Sequence, residues 1–159
     1  MPQGEIQPSN AILTAGQPII EELEVLTTTE FCPGKLVIYD TTDYQCKAAG
    51  AAAANVLGVA DCPSDKKLTD YFTASAGGAV TDTFDAADMI RVIRGPVRVK
   101  CILVSGQTIT KGDRLVAAAN GMVTECTADS GAPEDIIGFA AEAPAANTTC
   151  QWLLVDLTI

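Results

Sequence analysis

Apolar and polar positions alternate along this chain in short runs of strand length, with turn-forming residues between them. Leu23-Glu24-Val25-Leu26 alternates as a half-buried strand does, and the threonines Thr27-Thr28-Thr29 that follow favour extended backbone because they are β-branched. Cys32-Pro33-Gly34 marks a turn before the short strand Leu36-Val37-Ile38-Tyr39, and Tyr44 to Lys47 reads as the return arm of a hairpin. A further strand runs through Val56-Leu57-Gly58-Val59-Ala60 and stops at Cys62-Pro63. The clearest pattern lies at 89–94 and 96–104, broken or bent at Gly95-Pro96. There Val97, Val99 and Cys101 alternate with Arg98 and Lys100, giving one dry face and one basic, wetted face. Arg114-Leu115-Val116-Ala117 and Met122-Val123-Thr124 flank Asn120-Gly121, a strong hairpin turn. Ile136 to Ala140 and Gln151 to Leu157 complete the series. About ten short strands with at most one short helix predict an all-β barrel or sandwich.

Two regions depart from the pattern. Residues 1–17 carry two prolines, two glycines and little periodicity, and read as an extended N-terminal arm ordered only where something holds it. Residues 62–88 read as a long loop or insertion within a single β domain spanning 18–159, and as the place where a short helix would sit, with a helical turn at 82–88 one option.

The chain also echoes itself at a spacing near 80 residues. Gly34-Lys35-Leu36-Val37 precedes Val56-Leu57-Gly58-Val59-Ala60, as Gly112-Asp113-Arg114-Leu115 precedes Ile136-Ile137-Gly138-Phe139-Ala140, and Pro18-Ile19 matches Pro96-Val97. A glycine inside a strand allows close backbone approach where a small barrel curves. Greek-key-like or pseudo-duplicated strands are expected.

Composition narrows the function. Apolar residues are 48% of the 159 and aromatics only 5%, so Val, Ile and Leu are expected to build the core. Twenty acidic against 10 basic residues give a charge of −10, which repels nucleic-acid backbones and anionic membranes. Six of the basic residues fall between Arg91 and Arg114, and the stripe Arg91, Arg94, Arg98, Lys100 is the candidate electrostatic contact with a partner, against the alternative of a solvated strand face. The start of the chain has no basic, apolar leader, so assembly in a cytoplasm is expected. Histidine is absent, which removes the commonest general base and metal ligand. No phosphate-binding glycine loop is present, and Asp82, Asp85 and Asp88 do not follow a calcium-loop spacing. The six cysteines lie 14 to 39 residues apart with no CxxC pair, and read as buried small apolar groups, with disulfides left open. The expectation is a protein that is not an enzyme and needs no cofactor or metal.

The succession PGKLVIYD, NVLGVAD, MIRVIRGPVRVK, KGDRLVAAANGMV, IIGFAAEA and WLLVDL, over roughly 18–157, resembles the capsid decoration (cement) proteins of tailed viruses. That resemblance implies a β-barrel or β-tulip-like body, grouped as a homotrimer on the virion's capsid surface and bridging subunits of the major capsid protein. It implies an arm lying along the shell, with Gln3, Ile6, Ile12 and Leu13 as candidate contacts. Other virion or filament subunits (tail tube, fibre) and a small ligand-binding module are the alternatives.

Overall fold

A computed structural model describes residues 12–26, 31–42, 44–73, 80–127, 132, 135–144 and 148–159. Its strands are β1 (Leu13–Ala15), β2 (Ile19–Val25), β3 (Leu36–Tyr39), β4 (Gln45–Ala48), β5 (Gly58–Ala60), β6 (Met89–Arg94), β7 (Arg98–Leu103), β8 (Arg114–Ala117), β9 (Val123–Glu125), β10 (Gly138–Ala140) and β11 (Gln151–Leu157). They close into two five-stranded barrels. The first runs β2-β4-β3-β5-β6, and the second runs β7-β9-β8-β10-β11, with β1 added alongside β7.

The duplication expected from the sequence is present pairing by pairing. β2 runs parallel to β4 and antiparallel to β6, as β7 runs parallel to β9 and antiparallel to β11. β3 is antiparallel to β4 and β5, as β8 is to β9 and β10, and β5 lies against β6 as β10 lies against β11. The strand glycines hold matching places. A Cβ on Gly58 would sit 2.2 Å from the carbonyl oxygen of Ile93, and one on Gly138 would sit 2.2 Å from that of Asp156. Both glycines therefore exist to let two strands approach closely.

Gly95 (φ 99°) separates the barrels. β6 and β7, consecutive in sequence, share no ladder: one closes the first barrel and the other opens the second. The Asn120-Gly121 turn is as expected, both residues taking positive φ (56° and 72°) within the short 3₁₀ turn Ala119–Gly121.

The short helix lies at α1 (Leu68–Tyr71), and 82–88 holds no helical turn. There Asp82 and Asp88 accept hydrogen bonds from the backbone N–H of Thr83 and Asp85, both 2.9 Å. The segment is also less of an excursion than its composition suggests. Tyr71, Phe72 and Phe84 pack with Phe31 and with the interior residues Leu23, Val25, Val37 and Ile90 of the first barrel. Phe31 meets Phe84 edge-on at 5.2 Å, and Phe72 meets Trp152 edge-on at 5.5 Å. So the scarce aromatics are concentrated at one place, where the aliphatic core was expected to do without them. Such ring pairs add about 1 kcal/mol each beyond the area they bury.

A second core cluster fills the other barrel with Val99, Cys101, Leu103, Leu115, Leu153 and Val155, and it also takes in Leu36, Val59 and Ile93 from the first. The barrels are thus joined by a continuous apolar contact. All six cysteines are free thiols; Cys32, Cys46, Cys101 and Cys150 are buried, and burial pushes the Cys46 thiol up to about 12.

Candidate docking surface

The joint between the barrels shows which surfaces of the repeated unit bury something. Across β3, β5 and β6, Leu36, Val59 and Ile93 stand in one cross-strand row, and all are buried against the second barrel. The corresponding row across β8, β10 and β11 is Arg114, Phe139 and Asp156. It faces solvent, with Phe139 38% exposed. Chemistry has diverged where geometry has not.

The basic stripe is divided by the same architecture. Arg91 and Arg94 stand on β6 of the first barrel, Arg98 and Lys100 on β7 of the second. Arg91 lies 3.6 Å from Asp61, and Arg94 lies 3.8 Å from Glu21. Arg98 forks onto Asp156 through Nε at 2.7 Å and a terminal nitrogen at 3.0 Å. That hydrogen-bonded guanidinium holds the Asp156 carboxyl below its ordinary value, whereas burial raises that of Asp61. Arg91, Arg94 and Arg98 thus face carboxylates of their own chain, which no sequence spacing announces, because those carboxylates come from distant parts of the sequence.

The arm residues divide too. Gln3 and Ile6 lie outside the described residues. Ile12 is fully buried in the chain's own core, and Leu13 opens β1, which pairs antiparallel with β7. The N–H of Lys100 donates to the Ile12 carbonyl at 2.9 Å. A three-residue strand next to Gly16 carried too little alternation to be read from sequence.

One concavity stands out on the first barrel: a cleft of about 470 Å³ lined by Glu21, Tyr39, Asp40, Thr42 and Tyr44. The Tyr39 hydroxyl donates to Oε1 of Glu21, and this bond, with burial, raises its pKa above the ordinary 10.0. Asp40 accepts from the Lys47 ammonium at 2.7 Å, which lowers its pKa. Ile19, Tyr39 and Tyr44 are 55%, 42% and 76% exposed, so most of the large apolar groups left in water belong to this barrel. Among the described residues no cluster of cysteine and carboxylate groups is placed to hold a metal ion.

These features define the molecule as a tandem-barrel, all-β protein made of two copies of one five-stranded unit, one of them sealed by an added strand. Among solved structures, it is similar to the N-terminal base of the head fibre gp8.5 of bacteriophage phi29, with a TM-score of 0.53 and 14% identity. The match covers 89% of this chain and 95% of that one, so the likeness is one of the whole fold. No protein-family model and no curated protein matches the sequence.

Proposed function

We propose that this chain is a structural virion protein, fixed to the outside of an icosahedral capsid, where it stabilises the shell by bridging subunits of the major capsid protein. The observation that carries the reading is the end-to-end likeness of fold to the base of a phage head fibre. Supporting it are the absence of histidine and the exposed apolar groups of the first barrel, which suit a protein that acts by contact. On this reading the chain is not an enzyme and uses no cofactor. It assembles as a homotrimer, and multivalency multiplies weak contacts into firm attachment.

A second reading has one observation in its favour. The similar structure is the base of a fibre rather than a free-standing cement protein, so this chain is alternatively the foot on which a projecting fibre stands.

The test is co-sedimentation of the purified protein with expanded and unexpanded shells of the virus that encodes it, with its mass measured by analytical ultracentrifugation. Cement predicts trimers that bind expanded shells and slow their disruption by heat. A fibre base predicts binding without that protection. A protein that sediments with neither shell defeats both readings.

A further inference from the structure

The duplicated barrels present the same strand edge twice, and among the described residues only one of the two is filled. In the second barrel, the edge of β7 that faces β9 is occupied along its length. Arg98 and Lys100 are covered by β1, Ile102 donates to Gly34 at 3.2 Å, and Val104 donates to Val123 of β9 at 3.0 Å. In the first barrel, Glu24 donates to Tyr44 at 2.8 Å and Leu26 donates to Cys46 at 3.0 Å, so the far end of the edge is satisfied in the same way. Ile20 and Glu22 alternate with Glu24 on that edge, and among the described residues their backbone groups meet no strand there. They are the counterparts of Arg98 and Lys100. The consequence extends to side chains: Val97 and Val99 are 3% and 0% exposed, while their counterparts Ile19 and Glu21 border solvent and the cleft.

An edge that no described residue pairs, with a cleft beside it, is a template for strand addition. We propose that the edge Ile19–Glu22 receives an extended, basic segment of a partner protein, antiparallel to β2 as β1 is to β7. Backbone groups of the segment pair with Ile20 and Glu22, and an aliphatic side chain facing Glu21 enters the cleft beside Tyr39 and Tyr44, as Leu13 faces Val99 in the filled barrel. Charge selects the occupant. The rim and edge carry Glu21, Glu22, Glu24 and Asp40 against Arg91, Arg94 and Lys47, in a chain of charge −10. Residues 1–11 of a second copy contain Glu5 and no Lys or Arg, so they complement this rim poorly, whereas Lys or Arg flanking the aliphatic residue complements it well. This inference stands on the strand edge alone and does not depend on the virion reading.

The experiment brings a defined strand to the site. The C-terminal Ile159 lies near the Ile19 end of the edge, since its carbonyl accepts from Gly95, one residue beyond the Arg94 that pairs with Ile19, so the linker must be long enough to run back to Glu22 and deliver an antiparallel strand there. The full chain is extended after Ile159 with a Gly-Ser linker and the sequence Lys-Leu-Thr-Ala-Lys, which places the filled barrel's own strand between lysines at millimolar effective concentration. Amide hydrogen exchange at Ile20 and Glu22 is followed by NMR. Without the extension, both exchange at least tenfold faster than Lys100; with it, both slow at least tenfold. Glu-Leu-Thr-Ala-Glu gives less than a third of that slowing, and Glu22→Lys reverses the preference. Two results overturn the inference: protection of Ile20 and Glu22 equal to that of Lys100 before extension, or exchange unchanged by the lysine strand. Equal slowing by both strands overturns the charge selection.

Discussion

The two barrels of this protein carry the same ladder and opposite surfaces. The row Leu36, Val59, Ile93 is buried, and its counterpart Arg114, Phe139, Asp156 is wet. The edge of β7 is sealed by β1, and among the described residues no strand covers the matching stretch of β2. Strand pairing and the close-approach glycines are what the repeated unit needs in order to close, and they are kept in both halves. The outward positions answer only to what lies against them, and they differ. Closure and contact are therefore separate demands on one β unit.

Exchanging residues between the two rows has the largest expected effect. Leu36→Arg places the second barrel's residue into the joint, where Leu36 is 0% exposed. A cation forced there without a partner is expected to cost about 4–5 kcal/mol, a large share of the roughly 5–15 kcal/mol that holds an ordinary domain folded. The reverse exchange, Arg114→Leu, touches solvent and is expected to move stability by no more than about 0.5 kcal/mol. Urea unfolding monitored by Trp152 fluorescence checks both. Equal losses would mean that the two rows are not separated by burial at all.

The glycines give the next largest contrast. Gly34 and Gly112 hold matching turn positions and both have positive φ, 84° and 96°. An added Cβ on Gly34 would lie 2.3 Å from the Trp152 ring, while one on Gly112 meets nothing within 4 Å. Gly112→Ala therefore carries only the left-handed backbone penalty, about 1 kcal/mol. Gly34→Ala adds overpacking against an indole, for a total of about 3 kcal/mol. Gly58→Ala and Gly138→Ala, each driven into a backbone carbonyl, are expected to cost about 3 kcal/mol and to match one another. Thermal unfolding midpoints rank the four.

These contrasts also mark what was legible in the sequence. Pro18-Ile19 against Pro96-Val97, and Val56 to Ala60 against Ile136 to Ala140, carried the duplication because strand alternation and interior glycines are local signals. Closure into two barrels, rather than one body, was not local. It depends on β6 returning to β2 and β11 returning to β7, pairings that Gly95 separates but does not specify. The aromatic cluster escaped for the same reason: Phe31, Tyr71, Phe72 and Phe84 come from segments that show no alternation, and they meet only once the first barrel forms. At the candidate site, Glu21 and Tyr39 stand in ordinary strand patterns. The open edge beside them is visible only by comparison with the filled one.

The smallest expected effect sets two aspartates against each other. Asp156 sits in the fork of Arg98, and that hydrogen bond lowers its pKa from 3.8; a carboxyl depressed in the folded state contributes stability that is present above its unfolded value and lost as pH falls through the folded one. Asp61 is raised from 3.8 by burial, against the pull of Arg91 and the N–H of Cys62. Its ionisation therefore opposes folding at neutral pH, and that opposition is relieved as pH falls through its raised value. Asp156→Asn should lower the thermal midpoint slightly at pH 7 and leave it unchanged at pH 2, because both side chains of the Arg98–Asp156 pair are nearly half exposed and the pair is weakened by water. Asp61→Asn keeps an oxygen to accept from the Cys62 N–H and sheds the buried charge, so it should raise the midpoint at pH 7 and lose that advantage in acid. Midpoints measured from pH 2 to pH 7 would separate the two curves in opposite directions. Two curves bending the same way would show that ion pairing governs both aspartates, and that the buried side of the first barrel is wetter than its packing implies.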